Sequence, residues 1–351
     1  MIPAAMRTFT LAIVEARENT GVAGLHTDPF LPDFRFDDLL ASADSWLSRH
    51  EGLVEQAAGK GARLILLTED ITHVGLAATF LDDPSIFRRV AERQADVVPR
   101  RLSALAARLG VHVAASYFAA EGNLVRNFAE LFGPDGRSAG RYRKVHMPDY
   151  ERWLATEGSA FPVFATDLGR VGMLICYDQN WPEAFASLAL GGAEIVLHPS
   201  AATVRDYRML CRSADHHVFY AAASPRGSMI TSPMETIVAR STGKDPEIIL
   251  GELDGSLVDY GDERYYDALY SGIRSHRWRE LRHRRPETYG ALVDRTPPVF
   301  ADAGAPALAE AKEQVAAIYA RHRASHLAAV RGAAEPYHWD YWRDGEPRPR
   351  Q

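Results

Sequence analysis

Arg63-Leu-Ile-Leu-Leu-Thr-Glu69 is apolar at successive positions, and Val171-Gly-Met-Leu-Ile-Cys176 repeats the pattern. A strand with one wet face alternates apolar and polar residues, whereas a strand covered on both faces has no need to. Working outward, residues 8–14, 111–117, 195–198, 218–223, 229–231 and 248–253 are further apolar runs of strand length. Between them, residues 36–58, 85–109 and 182–190 carry apolar side chains at helical spacing, and 204–217 is a weaker helical candidate. Strands alternating with helices in this way predict an α/β fold whose sheets are covered by helices.

At 351 residues, with 46% hydrophobic and 25% charged residues, the chain can bury a large core, which excludes disorder and small disulfide scaffolds. A formal net charge of −6 has the wrong sign for a protein that lives on phosphate backbones, so no nucleic-acid partner is expected. No stretch reaches the roughly 18 uninterrupted apolar residues of a membrane span. The N-terminus also lacks the basic and apolar regions of a secretory signal, so a soluble, cytoplasmic protein is expected. Two cysteines, Cys176 and Cys211, are too few for a disulfide framework and suit a reducing compartment. Lysine occurs at only Lys60, Lys144, Lys244 and Lys312, which hints that arginine would not serve there.

From Tyr260 onward the strand pattern stops. The Arg- and His-rich run 274–285 reads as a solvated face or an oligomer contact, residues 306–331 as an Ala-rich helix, and 336–351 as an extended aromatic arm. The expected division is a main domain over 1–296 and a packing or assembly segment over 297–351. Tyr337, Trp339, Tyr341 and Trp342 could clasp a neighbouring copy.

Three positions carry chemistry. Cys176 ends one apolar run and precedes Tyr177-Asp-Gln-Asn-Trp-Pro-Glu183, so a thiol would stand at a strand-to-helix turn whose backbone N–H groups could face an oxyanion. Glu69 ends another such run, where a carboxylate can act as general base. Lys144 lies in Gly140-Arg-Tyr-Arg-Lys-Val-His-Met-Pro148, after the Gly133-Pro-Asp-Gly136 turn, and offers a compact positive charge. Singly, each also reads as an ordinary residue: an inert thiol, a capping acid, a surface lysine.

Together and in this order, Glu69, Tyr-Arg-Lys144-Val-His and Leu-Ile-Cys176-Tyr-Asp with Trp-Pro-Glu183 resemble the carbon-nitrogen hydrolase (nitrilase) superfamily. The resemblance runs from about Thr8 to Leu292 and includes His198-Pro-Ser-Ala201 and Ala222-Ala-Ser-Pro225. It implies a four-layer α-β-β-α sandwich and a homo-oligomer. It further implies Cys176 as nucleophile, Glu69 as base, Lys144 as holder of the tetrahedral intermediate and the Tyr177 N–H at the oxyanion. A second glutamate falls on Glu151, with Glu157 as rival. The chemistry so implied is hydrolysis of a linear amide or N-carbamoyl bond through a thioester, on a small-molecule substrate and with no metal or organic cofactor.

Cys-Tyr-Asp followed by Trp-Pro-Glu is similar to the amidase and N-carbamoyl-amine hydrolase branches rather than to nitrilases. Carbamoylases for amino acids have arginines where this chain has Gln179 and Asn180, which shifts weight toward a neutral or amine-bearing substrate. Tyr117, Trp153, Asn180, Trp181 and His198 are the expected substrate contacts. An acyltransferase using the same cysteine, a nitrilase and a non-enzymatic scaffold stay open as alternatives.

Overall fold

A computed structural model of the chain describes residues 6–29, 32–75, 84–148, 151–242, 244, 246–260 and 275–294. It divides into two compact units, Met1–Asp259 and Tyr260–Gln351. The expected boundary at 296/297, the 306–331 helix and the aromatic arm lie outside the described residues.

The first unit runs β1 (Phe9–Val14), α1 (Phe36–Gly59), β2 (Leu64–Leu67), α2 (Pro84–Leu109), β3 (His112–Glu121), β4 (Leu124–Phe132), β5 (Ser138–Arg143), β6 (Val163–Thr166) and β7 (Gly169–Met173). It continues with α3 (Pro182–Leu190), β8 (Ile195–Pro199), α4 (Asp206–His216), β9 (Phe219–Ala223), β10 (Met229–Thr231), β11 (Ile237–Arg240) and β12 (Ile248–Leu253). The strands form two six-stranded sheets, ordered β12-β1-β2-β3-β4-β5 and β11-β10-β9-β8-β7-β6. The centre of each sheet is parallel, through β1, β2 and β3 in one and β7, β8 and β9 in the other. The remaining pairs are antiparallel.

Strand alternation explains the layers. Leu11, Ile13, Leu64 and Leu66 join Met173, Ile195, Leu197 and Ala221 in one core, while Ala12, Val14, Ile65 and Leu67 pack with Trp46, Leu47, Val98 and Leu102 of α1 and α2 in another. The second sheet is covered by α3 through Ala184, Phe185 and Leu188. Each central strand is therefore apolar on both faces because each face meets a different layer, giving the expected α-β-β-α sandwich. All eight expected strands are present, and β4, β5, β6 and β11 are added to them. The strand expected to end at Cys176 stops at Met173. In the second unit, the described residues hold a helix, α5 (His276–His283), followed by two short 3-10 turns.

Candidate active site

Two strand ends of the first sheet and a 3-10 turn deliver a buried polar cluster. Glu69 lies two residues beyond β2, Lys144 directly follows β5, and Glu151 opens a 3-10 turn over Glu151–Trp153. Lys144 is only 1% exposed, and its Nζ donates to Glu69 Oε1 at 2.9 Å and to Glu151 Oε2 at 2.6 Å. Asn127 of β4 ties the same two carboxylates together, its Nδ2 donating to Glu69 Oε1 at 3.0 Å and to Glu151 Oε1 at 2.8 Å. Ser116 of β3 in turn donates to Asn127 Oδ1 at 3.1 Å, which fixes which way the amide faces. Two backbone bonds anchor the lysine itself, from its N–H to Asn127 O at 3.0 Å and from Gly158 N–H to its carbonyl at 2.7 Å. Only glycine fits at 158, because a Cβ there would lie 2.2 Å from Arg143 O.

The second sheet supplies the thiol. Cys176 begins a 3-10 turn over Cys176–Asn180 with φ of 43°, in the left-handed region that an L-residue adopts only when its surroundings hold it there. Two buried side chains hold it. His198 Nε2 donates to Cys176 O at 3.0 Å, and Tyr220 OH lies 2.8 Å from His198 Nδ1. A carbonyl can only accept, so the imidazole carries its proton on Nε2 and takes the tyrosine hydroxyl on Nδ1. Asp178, fully buried, accepts from Ile175 N–H at 2.9 Å, from Tyr142 OH at 2.7 Å and from His146 N–H at 2.9 Å. One carboxylate thus clamps the cysteine turn to the segment that carries Lys144.

Glu69 joins the two halves: its charge acts on the Cys176 thiol, and its Oε2 accepts from Ala201 N–H at 3.0 Å. Burial works against charge on Glu69, but the Lys144 ammonium and the hydrogen bonds from Lys144, Cys176 and Asn127 outweigh it and hold the carboxyl below its ordinary value. Burial raises Glu151, against the pull of Lys144 and with the push of the Glu69 charge. Burial would lower Lys144, yet the two carboxylates overcome it and keep the ammonium charged. The Cys176 thiol is pushed up to about 12 by burial and by the Glu69 charge. The resting cluster is therefore a thiol beside a carboxylate, with an ammonium bridging two acids.

Asp70, next in sequence to Glu69, is half-buried with φ of 50° and accepts from Gly75 N–H at 2.6 Å and from Thr72 Oγ1 at 3.2 Å. Burial, aided by the Glu69 charge, raises its carboxyl from 3.8 to about 7. A raised carboxyl contributes stability that is complete below its unfolded value and lost as pH rises through its folded value. Asp70→Asn should therefore gain thermal stability relative to the native chain as pH climbs from about 4 to about 7, read as the difference in Tm across that window. A pH-independent difference would contradict this.

Among the expected site residues, Glu69, Lys144, Glu151 and Cys176 converge. Glu157, the rival to Glu151, points away and pairs with Arg152 at 2.9 Å on the surface. Two expected substrate contacts are corrected. Tyr117 packs with the α1 and α2 layer and donates to Glu130, because its neighbour Ser116 faces the site and successive strand residues face opposite ways. His198 is fully buried with both ring nitrogens engaged by Cys176 and Tyr220, so it holds the turn rather than a ligand. Burial lowers its imidazole to about 4, keeping it neutral. Trp181 stacks on His146 with centroids 4.0 Å apart and meets Tyr177 edge-on at 5.0 Å. Asn180 donates to Tyr177 O at 3.1 Å. The side chain of Trp153 lies outside the described residues.

The sequence reading missed Asn127, Asp178, Tyr220 and His146. A polar Asn inside the apolar run of β4 is the one signal that could have pointed to Asn127. Among the described residues, no group of three or more His, Cys, Asp or Glu side chains is arranged to hold a metal ion. None of their helices is long and apolar enough to cross a membrane.

A sandwich of this topology, with a thiol, two glutamates and a lysine drawn from its two sheets, defines a class of α/β hydrolytic enzyme. The chain belongs to the carbon-nitrogen hydrolase family, whose model matches residues 39–260. It is 28% identical over 278 residues to an N-carbamoylputrescine amidase of Arabidopsis thaliana, covering 69% of this chain and 88% of that one. It is also 28% identical over 268 residues to a citrullinase of Francisella tularensis, covering 70% of this chain and 92% of that one. Among solved structures, a carbon-nitrogen hydrolase from Helicobacter pylori G27 shares the fold with a TM-score of 0.65 at 22% identity, covering 83% of this chain and 99% of that one. The protein is accordingly an enzyme that hydrolyses carbon-nitrogen bonds other than peptide bonds.

Proposed function

We propose that the chain hydrolyses a linear amide or N-carbamoyl bond of a small molecule through a thioester on Cys176. The observation that carries this reading is the single carboxylate, Glu69, bonded to the Lys144 ammonium and close enough to the Cys176 thiol for each to shift the other. A thiol at about 12 does not ionise by itself near neutrality, so Glu69 takes its proton as Sγ attacks the carbonyl carbon. The new oxyanion is stabilised by the Lys144 ammonium and the Tyr177 N–H. Glu69 then returns the proton to the departing nitrogen, the C–N bond breaks, and an amine or ammonia leaves. In the second half Glu69 deprotonates a water that attacks the thioester, and the thiol is restored as the acid departs. Glu151 keeps Lys144 charged and aimed. Asn180, Trp181 and Trp153 are the proposed substrate contacts.

Two supports come from outside the catalytic cluster. The curated relatives named above are called after carbamoyl-bearing compounds, N-carbamoylputrescine and citrulline. The free thiols of Cys176 and Cys211 fit a cytoplasmic setting, the family resemblance supports a homo-oligomer, and the aromatic composition of the tail assigns residues 297–351 to packing or assembly. The test is release of ammonia and amine from a panel of primary amides, N-carbamoyl amines, N-carbamoyl amino acids and nitriles. Turnover of an amide or carbamoyl compound is expected; turnover of nitriles alone, or acyl transfer to an added amine in place of hydrolysis, would overturn the reading.

A further inference from the structure

Most arginines of this chain that are held against the protein meet a carboxylate: Arg141 meets Glu130 at 2.9 Å, Arg170 meets Glu194 at 3.4 Å, and Arg240 meets Asp206. Arg208, half-buried in the first turn of α4, differs. Among the described residues its hydrogen-bond partner is neutral, the Asn180 side-chain oxygen, and the Tyr207 hydroxyl beside it is held by Arg205. The acid beside it on the same helix, Asp206, is already taken by Arg240. One turn along the same face, Arg212 lies over the Phe185 ring, again with no carboxylate within salt-bridge distance among the described residues. A partly desolvated cation with only neutral partners is short of an anion, and supplying one would stabilise it.

The position of this cation links it to the reaction. Asn180, which receives the guanidinium, closes the turn that Cys176 opens, and it donates to the carbonyl of Tyr177. Tyr220, whose hydroxyl holds His198 under the cysteine turn, lies within electrostatic reach of Arg212 and Arg208 as well as of Asp178. Helix α4 thus brings positive charge to the end of the cysteine turn, where the sequence itself supplies the neutral Gln179 and Asn180.

We infer that Arg208, held by Asn180, forms a subsite for a carboxylate at the end of the substrate remote from the scissile bond, so that the preferred substrates are amide or N-carbamoyl acids. This rests on the hydrolase reading above and reverses the weight that the neutral Gln179-Asn180 pair gives to amine-bearing substrates. An ammonium at the same place would face the guanidinium as a like charge, so the subsite selects against amines as well as for acids.

The test uses the full-length native chain and Arg208→Gln with three ureas of matched chain length, ending in a carboxylate, a methyl group or an ammonium. In the native chain kcat/KM should favour the acid over the methyl compound, and the ammonium compound should come last. In Arg208→Gln the acid-to-methyl ratio should fall about 10- to 100-fold, the range of one charge-assisted hydrogen-bonded pair. Arg208→Glu should invert the order of acid and ammonium. Equal losses on all three compounds would show a structural role for Arg208, and a native preference for the ammonium compound would reverse the assignment; either overturns it. If the native chain turns over none of the three, the hydrolase reading fails on these compounds. The subsite is then read from protection of Cys176 against alkylation by iodoacetamide. Stronger protection by the acid than by the methyl compound, lost in Arg208→Gln, supports it; equal protection overturns it.

Discussion

Cys176→Ala is expected to lower kcat by about 10⁴-fold or more while leaving the thermal transition nearly in place. The scheme has no second nucleophile: the other free thiol, Cys211, is exposed on α4, and no group of the buried cluster can form an acyl bond as labile as a thioester. Stability should change little, because the substitution removes one sulfur from a half-buried position and alanine meets the same left-handed backbone. Cys211→Ala serves as the control and should retain activity. Turnover is followed by ammonia release, and acyl-enzyme formation by the mass of the intact protein after rapid quenching. Substantial residual turnover in Cys176→Ala, or an acyl group found on another residue, would refute the thioester route.

Lys144→Met should damage both stability and catalysis. The ammonium lies between Glu69 and Glu151, all three groups are buried, and Asn127 already holds the two carboxylates side by side. Without the cation, two like charges share a dry site, a loss of about 3–5 kcal/mol when one member of a buried pair is removed. At least one acid must then take a proton, so the pH dependence changes sign. In the native chain the Glu69 carboxyl is held low and its contribution fades as pH falls through that lowered value. In Lys144→Met the acids are raised, and the variant should be more stable at pH about 5 than at about 8. Adding Glu151→Gln should restore part of the stability by removing one of the like charges. It should not restore turnover, because the oxyanion still lacks its cation. Denaturant unfolding at the two pH values, beside ammonia release, reads both effects. A Lys144→Met protein as stable as the native chain at pH about 8 would mean the acids are not sharing charge as described.

The proposed catalytic trio was legible because its three members fall in order, each with a local pattern of its own. Glu69 and Cys176 come just past continuous apolar runs, and Lys144 is one of four lysines in an arginine-biased chain. What orients them was not legible, since it depends on pairings made across the sheets. Asn127 reaches Glu69 and Glu151 only because β4 lies beside β3 and β5, and β4 itself is interrupted by Arg126, Asn127 and Glu130, which blurs its strand pattern. His198 faces Cys176 only because β8 runs beside β7, so in sequence it looked like a residue free to meet substrate. Tyr117 is different, for period-two alternation applied to Ser116 and Tyr117 would have sent the tyrosine to the helix side had the orientation of β3 been known. Arg208 carries no mark of its own; its interest arises from where α4 sets it down.

Among the described residues the first strand is hydrogen-bonded to the last, with Phe9 opposite Leu253 and Val14 opposite Ile248. A chain emerging from the ribosome makes Glu69, then Lys144, then Cys176, but β1 keeps an open edge until residues 248–253 have been made. The sheet that carries Glu69 and Lys144 is therefore not closed at its β1 edge until the whole of the second sheet, β6 to β11, has been made. A chain broken off before that strand leaves β1 as an unpaired sheet edge, a template for pairing with another chain.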